Sequence, residues 1–482
     1  MRRCGLLVLA AFLQVFGIAA APRLLYSLEE RELEYEVATE TPGAVDPVVI
    51  DIETAVAIAL RNNLGLRIER IDLEIARRNL DRRFNVFIPE VSGGSTLARP
   101  HVEPEDPFAV LAEELGASPN GVDDPARWQL RPELQASLTF TTRMLYGVRG
   151  AQMAYRAGVL DIEDARRRLE RDVRRSFYEL LLLQENLTIT ERRIENAVQH
   201  YEDAQANFEA GLIDEFTLLQ AQVALENLRP RRRQQQLALE TGLLAFVQSL
   251  GLARRTELRL VGSISAAETD LPPEEFVLGF LGGNPGLRRA EQGLLLLENQ
   301  LSLDRSARHP TLTLSYAEQP VLAGDPWSAD PLEIDNWSRG GQFAITLRVP
   351  LDSQLARSAA RTRIENRRSE HRQAELEIRE AREQVELRIA QLSRSLIASV
   401  EQLETLALNF ELAQRAHELA LEAYEAGLRE FSDVRDTEVD LEEARVAVLE
   451  EQYEYLSNLL ELEYQLGISL DEIREQYHEY DQ

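Results

Sequence analysis

The strongest constraint on this chain is that it repeats itself. Residues 208–222 read FEAGLIDEFTLLQAQ and residues 424–438 read YEAGLREFSDVRDTE. Gly211 and Gly427 are 216 residues apart, and at that offset Leu187, Ile194, Ala197, Tyr201, Ala204 and Phe208 fall on Leu403, Phe410, Ala413, His417, Ala420 and Tyr424. Gly251 then falls on Gly467. Upstream, Asn63, Leu66 and Pro89 align without a gap on Asn284, Leu287 and Pro310. Self-similarity on this scale means one supersecondary unit built twice, so any fold must accommodate both copies. The order within each copy is a helix, two strands, a long helix, a turn and a return helix.

The long segments set the class. Leu180, Leu183, Leu187, Thr190, Ile194, Ala197, Tyr201, Ala204 and Phe208 advance in steps of three and four, as do Leu403, Leu406, Phe410, Ala413, His417, Ala420 and Tyr424. A sustained period of 3.5 is the mark of coiled-coil packing. The pattern predicts helices over about 147–208 and 356–424, a tip at each EAGL, and return helices over about 216–250 and 432–466. Gly251 and Gly467 stand where a helix would be capped. Pro230 predicts a kink in the first return helix only.

Between the prolines and the long helices the period drops to two. Phe343, Ile345, Leu347 and Val349 alternate with Ala344, Thr346 and Arg348. Leu134, Ala136, Leu138 and Phe140 alternate with Gln135, Ser137, Thr139 and Thr141. Leu312, Leu314 and Tyr316 alternate with Thr311, Thr313 and Ser315, and Val91–Leu97 is a weaker run broken by glycines. Polar loops at about 99–132 and 318–340 join the strands, with Trp128, Trp327 and Trp337 in or beside them. Short strands with one apolar side suit a membrane barrel. An open sheet edge in lipid costs several kcal/mol per unpaired backbone group, and known barrels start at about eight strands. Four strands therefore need several chains to close one barrel. A soluble hairpin pair or a sandwich edge is the other reading of the strands.

The ends and the charge narrow the setting. Residues 1–21 read as a secretory signal, with Arg2 and Arg3, an apolar run from Leu6 to Ile18, and Ala19-Ala20-Ala21; a membrane anchor is the alternative, against which the run is short for a span. Cys4, the only cysteine, would leave with it. Residues 22–48 read as an extended arm, 49–252 as the first repeat, 253–271 as a linker, 272–468 as the second repeat, and 469–482 as an acidic tail. No other segment approaches ~18 consecutive apolar residues. The net charge of −29 disfavours nucleic acid as a partner. All the basic residues are arginine, to which we attach no function.

The order, duplication and spacing of the helix opening IETAVAIALRNNLGL, the pre-strand Pro89 and Pro310, and EAGL at both tips resemble the TolC family of outer-membrane efflux proteins over nearly the whole mature length. The resemblance implies a mainly α chain with a small membrane β part. Its long coiled-coil hairpins would form an α-barrel crossing the periplasm. Four strands per chain would enter a barrel in outer-membrane lipid shared by a homotrimer. It also implies a periplasmic adaptor and an inner-membrane transporter as partners.

At the second tip, Asp433 and Asp436 lie one turn apart on one helix face. They match the family's Asp-x-x-Asp selectivity ring, which three chains would build from six carboxylates. Arg435 stands where the family usually has an aliphatic residue, placing positive charge beside the ring. The matching first-half residues, Thr217 and Gln220, are neutral. Tyr424 and Arg429 match family positions that help lock the entrance. The acid expected as partner, six residues past the first tip glycine, is Thr217 here, leaving Asp214 or Glu215 as substitutes. Gly211-Leu212 and Gly427-Leu428 are candidate adaptor contacts, since an apolar residue on a polar turn can fill a partner groove. Ordinary core packing of Tyr424, simple capping of the turn at both tips, and solvated surface carboxylates at Asp433 and Asp436 are the alternative readings.

The remaining residues give no catalytic constellation. The six histidines, at 101, 200, 309, 371, 417 and 478, lack metal-ligand spacing. There is no phosphate loop and no nucleophile motif. The expectation is a passive export duct rather than an enzyme, without cofactor or metal. A periplasmic adaptor and a structural coiled-coil protein of the envelope are the alternatives. The two hairpins and the alternating strands argue against them.

Overall fold

The computed structural model describes residues 48–98, 129–265, 272–322, 337–338, 340–426, 428–429 and 431–480. The expected signal segment, almost all of the extended arm, residues 266–271 of the linker, Trp128, Trp327 and Gly427 lie outside the described residues.

Strand β1 (Val48–Ile50) leads into α1 (Ile52–Asn62), whose N-cap Asp51 accepts the Thr54 amide at 2.9 Å. The helical pattern from Asp51 to about Arg83 resolves into two helices, because Asn63 leaves helical geometry and caps α2 (Leu64–Asp81) by accepting the Leu66 amide at 3.1 Å. Strands β2 (Glu90–Ala98) and β3 (Gln129–Phe140) follow. Helix α3 (Thr142–Glu209) then runs 68 residues, about 100 Å at 1.5 Å per residue. Helix α4 (Glu215–Ser249) returns, continuing through Pro230.

The second copy repeats this order. After β4 (Leu258–Leu260) and the short α5 (Glu274–Leu278) come α6 (Pro285–Ser306), β5 (Thr311–Glu318), a small arm of β6 (Val321–Leu322) and β7 (Trp337–Ser338), and β8 (Gly341–Arg348). Helix α7 (Ala359–Glu425) spans 67 residues and α8 (Phe431–Leu466) returns. The acidic tail is not wholly irregular: α9 (Leu470–Tyr480) docks through Leu470 and Ile473, both buried, with Tyr477 edge-on to Phe276 at 5.1 Å.

The hairpins α3–α4 and α7–α8 pack lengthwise, and α8 also lies along α3. The main core sits where the hairpin bases meet α1, α5 and α9. Ala55, Ala59, Val173, Phe177, Leu250, Ile389, Leu396, Tyr455, Leu466 and Ile473 are essentially inaccessible there. Burying each large apolar side chain stabilises by about 1.5–3 kcal/mol. A parallel pairing of β1 with β4, unforeseen from the sequence, ties the start of the first repeat to the linker that follows it.

The four long strands form one antiparallel sheet in the order β2-β3-β5-β8. Its register sorts the side chains by face. Val91, Ala136, Tyr316 and Phe343 share one face with Leu138, Leu314 and Ile345, and with Phe140, Leu312 and Leu347. The opposite face carries Ser137, Ser315 and Ala344, then Thr139, Thr313 and Thr346. Thr139 and Thr313 share a hydrogen bond of 3.1 Å there. On the apolar face Phe343, Ile345 and Leu347 are 63–66% exposed. Among the described residues β2 and β8 each pair on one side only. No helix among the described residues is long and apolar enough to cross a membrane.

Candidate functional site at the hairpin tips

Both hairpins turn by the same backbone device. At the first tip Gly211 takes φ +72°, a left-handed conformation that suits glycine, and the Leu212 amide donates to the Asn207 carbonyl at 2.8 Å. At the second, the Leu428 amide donates to the Ala423 carbonyl at 2.8 Å. The bond closes the last turn and leaves both leucines outside it, 73% and 80% exposed.

After the turns the chemistry of the tips diverges. Asp214 caps α4, accepting the Thr217 amide at 2.9 Å and the Thr217 hydroxyl at 2.6 Å. Those bonds hold its carboxyl below the usual carboxylate range. Glu215 is exposed in the first turn of α4. In the second hairpin Arg429 lies 4.0 Å from Asp433, and Arg435 donates to Asp436 at 2.9 and 3.2 Å. These pairs are solvent-exposed, so each stabilises by only about 0–1 kcal/mol. Their effect on the local field is larger. A carboxylate with a guanidinium a few ångströms away presents a dipole rather than a full negative charge.

Within one chain, then, the structure joins Arg429 to Asp433 and Asp214 to Thr217, and does not join Arg429 to Asp214 or Glu215. Tyr424 lies on α7 one turn before the tip and is 41% exposed. Below it, Ala420 and Val434 are buried between α7 and α8, and His417 Nδ1 lies 3.4 Å from Thr437 Oγ1.

A second set of polar residues near the tips was not singled out from the sequence. A ladder of side chains joins α3 to α8. At the base of the hairpins Arg168 and Asp164 hold the Tyr464 hydroxyl at 2.7 and 2.9 Å, and Arg171 meets Glu461 at 3.1 Å. Farther out Arg445 reaches Glu185 at 3.9 Å. The rungs nearest the tip are Arg193 with Glu442, and Asn196 and His200 with Glu438, with His200 Nε2 3.8 Å from the carboxylate. The signal was present: Arg193, Asn196 and His200 follow helical spacing beside the apolar stripe, and Glu438 and Glu442 are one turn apart. In so charged a sequence such spacing is common, which hides it. Hydrogen bonding from His200 and Asn196 outweighs burial and keeps Glu438 below its ordinary value. Burial dominates at Glu442, opposed by Arg193 and reinforced by Glu438, and pushes it up to about 7.

Among the described residues no group of His, Cys, Asp and Glu is arranged to hold a metal ion. No curated protein sequence matches the chain. Solved structures resemble it in fold. The CmeC outer membrane channel of Campylobacter jejuni superposes with a TM-score of 0.73 at 17% identity, covering 89% of this chain and 88% of that one. The outer membrane protein VceC of Vibrio cholerae gives 0.69 at 16% identity, over 87% and 96%. The open state of the MtrE outer membrane channel of Neisseria gonorrhoeae gives 0.68 at 16%, over 87% and 89%. The outer membrane efflux protein family model matches residues 56–252 and 280–467, one segment for each repeat. With both repeats matched and the one-faced sheet and twin hairpins in place, the chain belongs to the outer membrane efflux protein family.

Proposed function

We propose that three copies of the chain form one passive duct, entered at the periplasmic hairpin tips and fed by an inner-membrane transporter through a periplasmic adaptor. The observation that carries this reading is the four-stranded sheet. It is apolar on one exposed face and polar on the other, and among the described residues each of its outer strands is paired on one side only. In lipid those edges must be paired. Three such sheets joined edge to edge give twelve strands, enough to close a barrel around the polar face. The exposed Leu212 and Leu428 are the adaptor contacts in this reading, and Tyr424, Arg429, Asp214 and Glu215 meet neighbouring chains when the entrance is shut.

Asp433 and Asp436 then ring the entrance, with Arg429 and Arg435 as counter-ions carried by the same chain. Cation preference should be weak, because two arginines accompany each pair of aspartates. The first test is the mass of the detergent-extracted protein together with its conductance in a planar lipid bilayer. A trimer giving discrete current steps supports the reading. A folded monomer that stays out of the outer-membrane fraction would favour an envelope coiled-coil protein instead.

A further inference from the structure

The ladder between α3 and α8 ends in rungs of a particular kind. Glu438 and Glu442 project from successive turns of α8 into the seam between the two hairpins, and their side chains are only 17% and 14% exposed. Facing them from α3 are Arg193, Asn196 and His200. Arg231 on α4 acts on Glu442, and His417 on α7 acts on Glu438. Toward the tip the hairpins extend only about ten residues farther, roughly 15 Å. If the tips spread apart, α8 must leave α3 first at these rungs.

We infer that Glu438 and Glu442, with Arg193, Asn196 and His200, form a proton-linked latch that holds the second hairpin against the first inside each chain. The latch is distinct from the tip residues and needs no neighbouring copy.

Its chemistry fixes the direction of the linkage. With the hairpins together, Glu442 is buried and its carboxyl is pushed up to about 7. With them apart it is hydrated and returns toward the ordinary value of about 4.3. The closed state therefore binds a proton that the open state releases, between those two values. Acidification through that window favours closure, and a rise through about 7 leaves a buried charge that favours separation. The linkage is worth at most about tenfold in the closed-to-open equilibrium per chain between pH 8 and pH 6.

The test is conductance of the full-length protein in planar bilayers from pH 5.5 to 8.5, on variants whose assembly is first checked by mass in detergent. Wild type should conduct more often as the pH rises through about 7. E442Q, which cannot acquire the charge, should stay as closed at pH 8 as wild type at pH 6. H200Q should keep most of the pH response, separating the histidine from the carboxyl. The double variant E438A/E442A should open several-fold more often at every pH. A disulfide joining Asn196→Cys to Glu438→Cys, in a Cys4→Ser background, should close the channel until reductant is added. An E442Q channel with the wild-type pH profile would overturn the proton linkage. An oxidised, cross-linked trimer that opens as freely as the reduced one would overturn the latch itself.

Discussion

The two repeats agree at one end and part company at the other. At the base, each hairpin finishes against the break before the short helix of its own repeat, and the joints are chemically the same. Asn63 caps α2 and donates its Nδ2 to the Ser249 carbonyl at 2.8 Å, while Gly251 sits at φ +69°. Asn284 caps α6 by accepting the Leu287 amide at 2.9 Å, donates to the Gln465 carbonyl at 2.8 Å, and Gly467 sits at φ +68°. At the tips only the backbone turn is shared. The difference follows from crowding. A Cβ on Gly251 would lie 2.4 Å from the Asn62 carbonyl oxygen, and one on Gly467 would lie 2.3 Å from that of Gly283, whereas a Cβ on Gly211 would meet nothing within 4 Å. The joint admits one solution, so both copies keep it. The tip fixes only a turn, which leaves its side chains open to divergent use.

The largest effect should come from filling the joints. Gly251→Ala and Gly467→Ala combine a left-handed backbone with collision against a carbonyl, and each should destabilise by about 3 kcal/mol or more. Gly211→Ala incurs the backbone term alone, about 1–2 kcal/mol. Thermal unfolding followed by far-ultraviolet circular dichroism checks the order. Equal losses at Gly211 and Gly251 would mean that conformation, rather than crowding, sets the joint. Next in size, Asn63→Ala and Asn284→Ala remove a cap and a bond to a helix-end carbonyl, costing about 1–3 kcal/mol each. Asn284, 3% exposed, should cost the more of the two.

These joints were legible in the sequence as a gapless repeat of Asn63 on Asn284 and Gly251 on Gly467, but what those residues touch was not. Coiled-coil stripes give helix lengths and tips closely, because a 3.5-residue period persists over tens of residues. They do not give rotation about each axis, so the face of α8 that meets α3 was invisible and the Glu438–Glu442 rungs went unnoticed. The strands were read from alternation even where glycines weaken β2. The pairing of β1 with β4 was not, since three residues carry no period. Asp433 and Asp436 were found by their spacing. That each lies beside an arginine of its own chain needed coordinates, although Arg435 between them was a visible hint.

A smaller and sharper test bears on the tips. Arg435→Leu should shift the reversal potential in a salt gradient toward that of an ideal cation channel, because Asp436 loses the guanidinium 2.9 Å away. Asp436→Asn in the same protein should shift it back. Grafting Asp at Thr217 and Gln220 asks whether the first tip can do the same work. If only the second hairpin lines the constriction, the graft leaves selectivity unaltered. A response as large as that of Arg435→Leu would mean that both tips share the lumen.

The smallest effect belongs to Asp214, and here acid separates the tips. Its carboxyl is held below the ordinary value by the Thr217 hydroxyl and amide. A carboxyl depressed in the folded state contributes stability that is present above its unfolded value, near 3.8, and lost as the pH falls through the lower folded value. The first tip should therefore fray in that acid window. The group is exposed, so fraying should be confined to the first turn of α4. Amide hydrogen exchange of Thr217 and Leu218 should quicken below that pH while α3 stays protected. Asp214→Asn preserves a capping oxygen without the charge, so exchange there should lose its pH step once the intrinsic rate is divided out. A step that survives in the asparagine variant would have to arise elsewhere, and the contrast between a titrating first tip and an arginine-paired second one would fail at its simplest point.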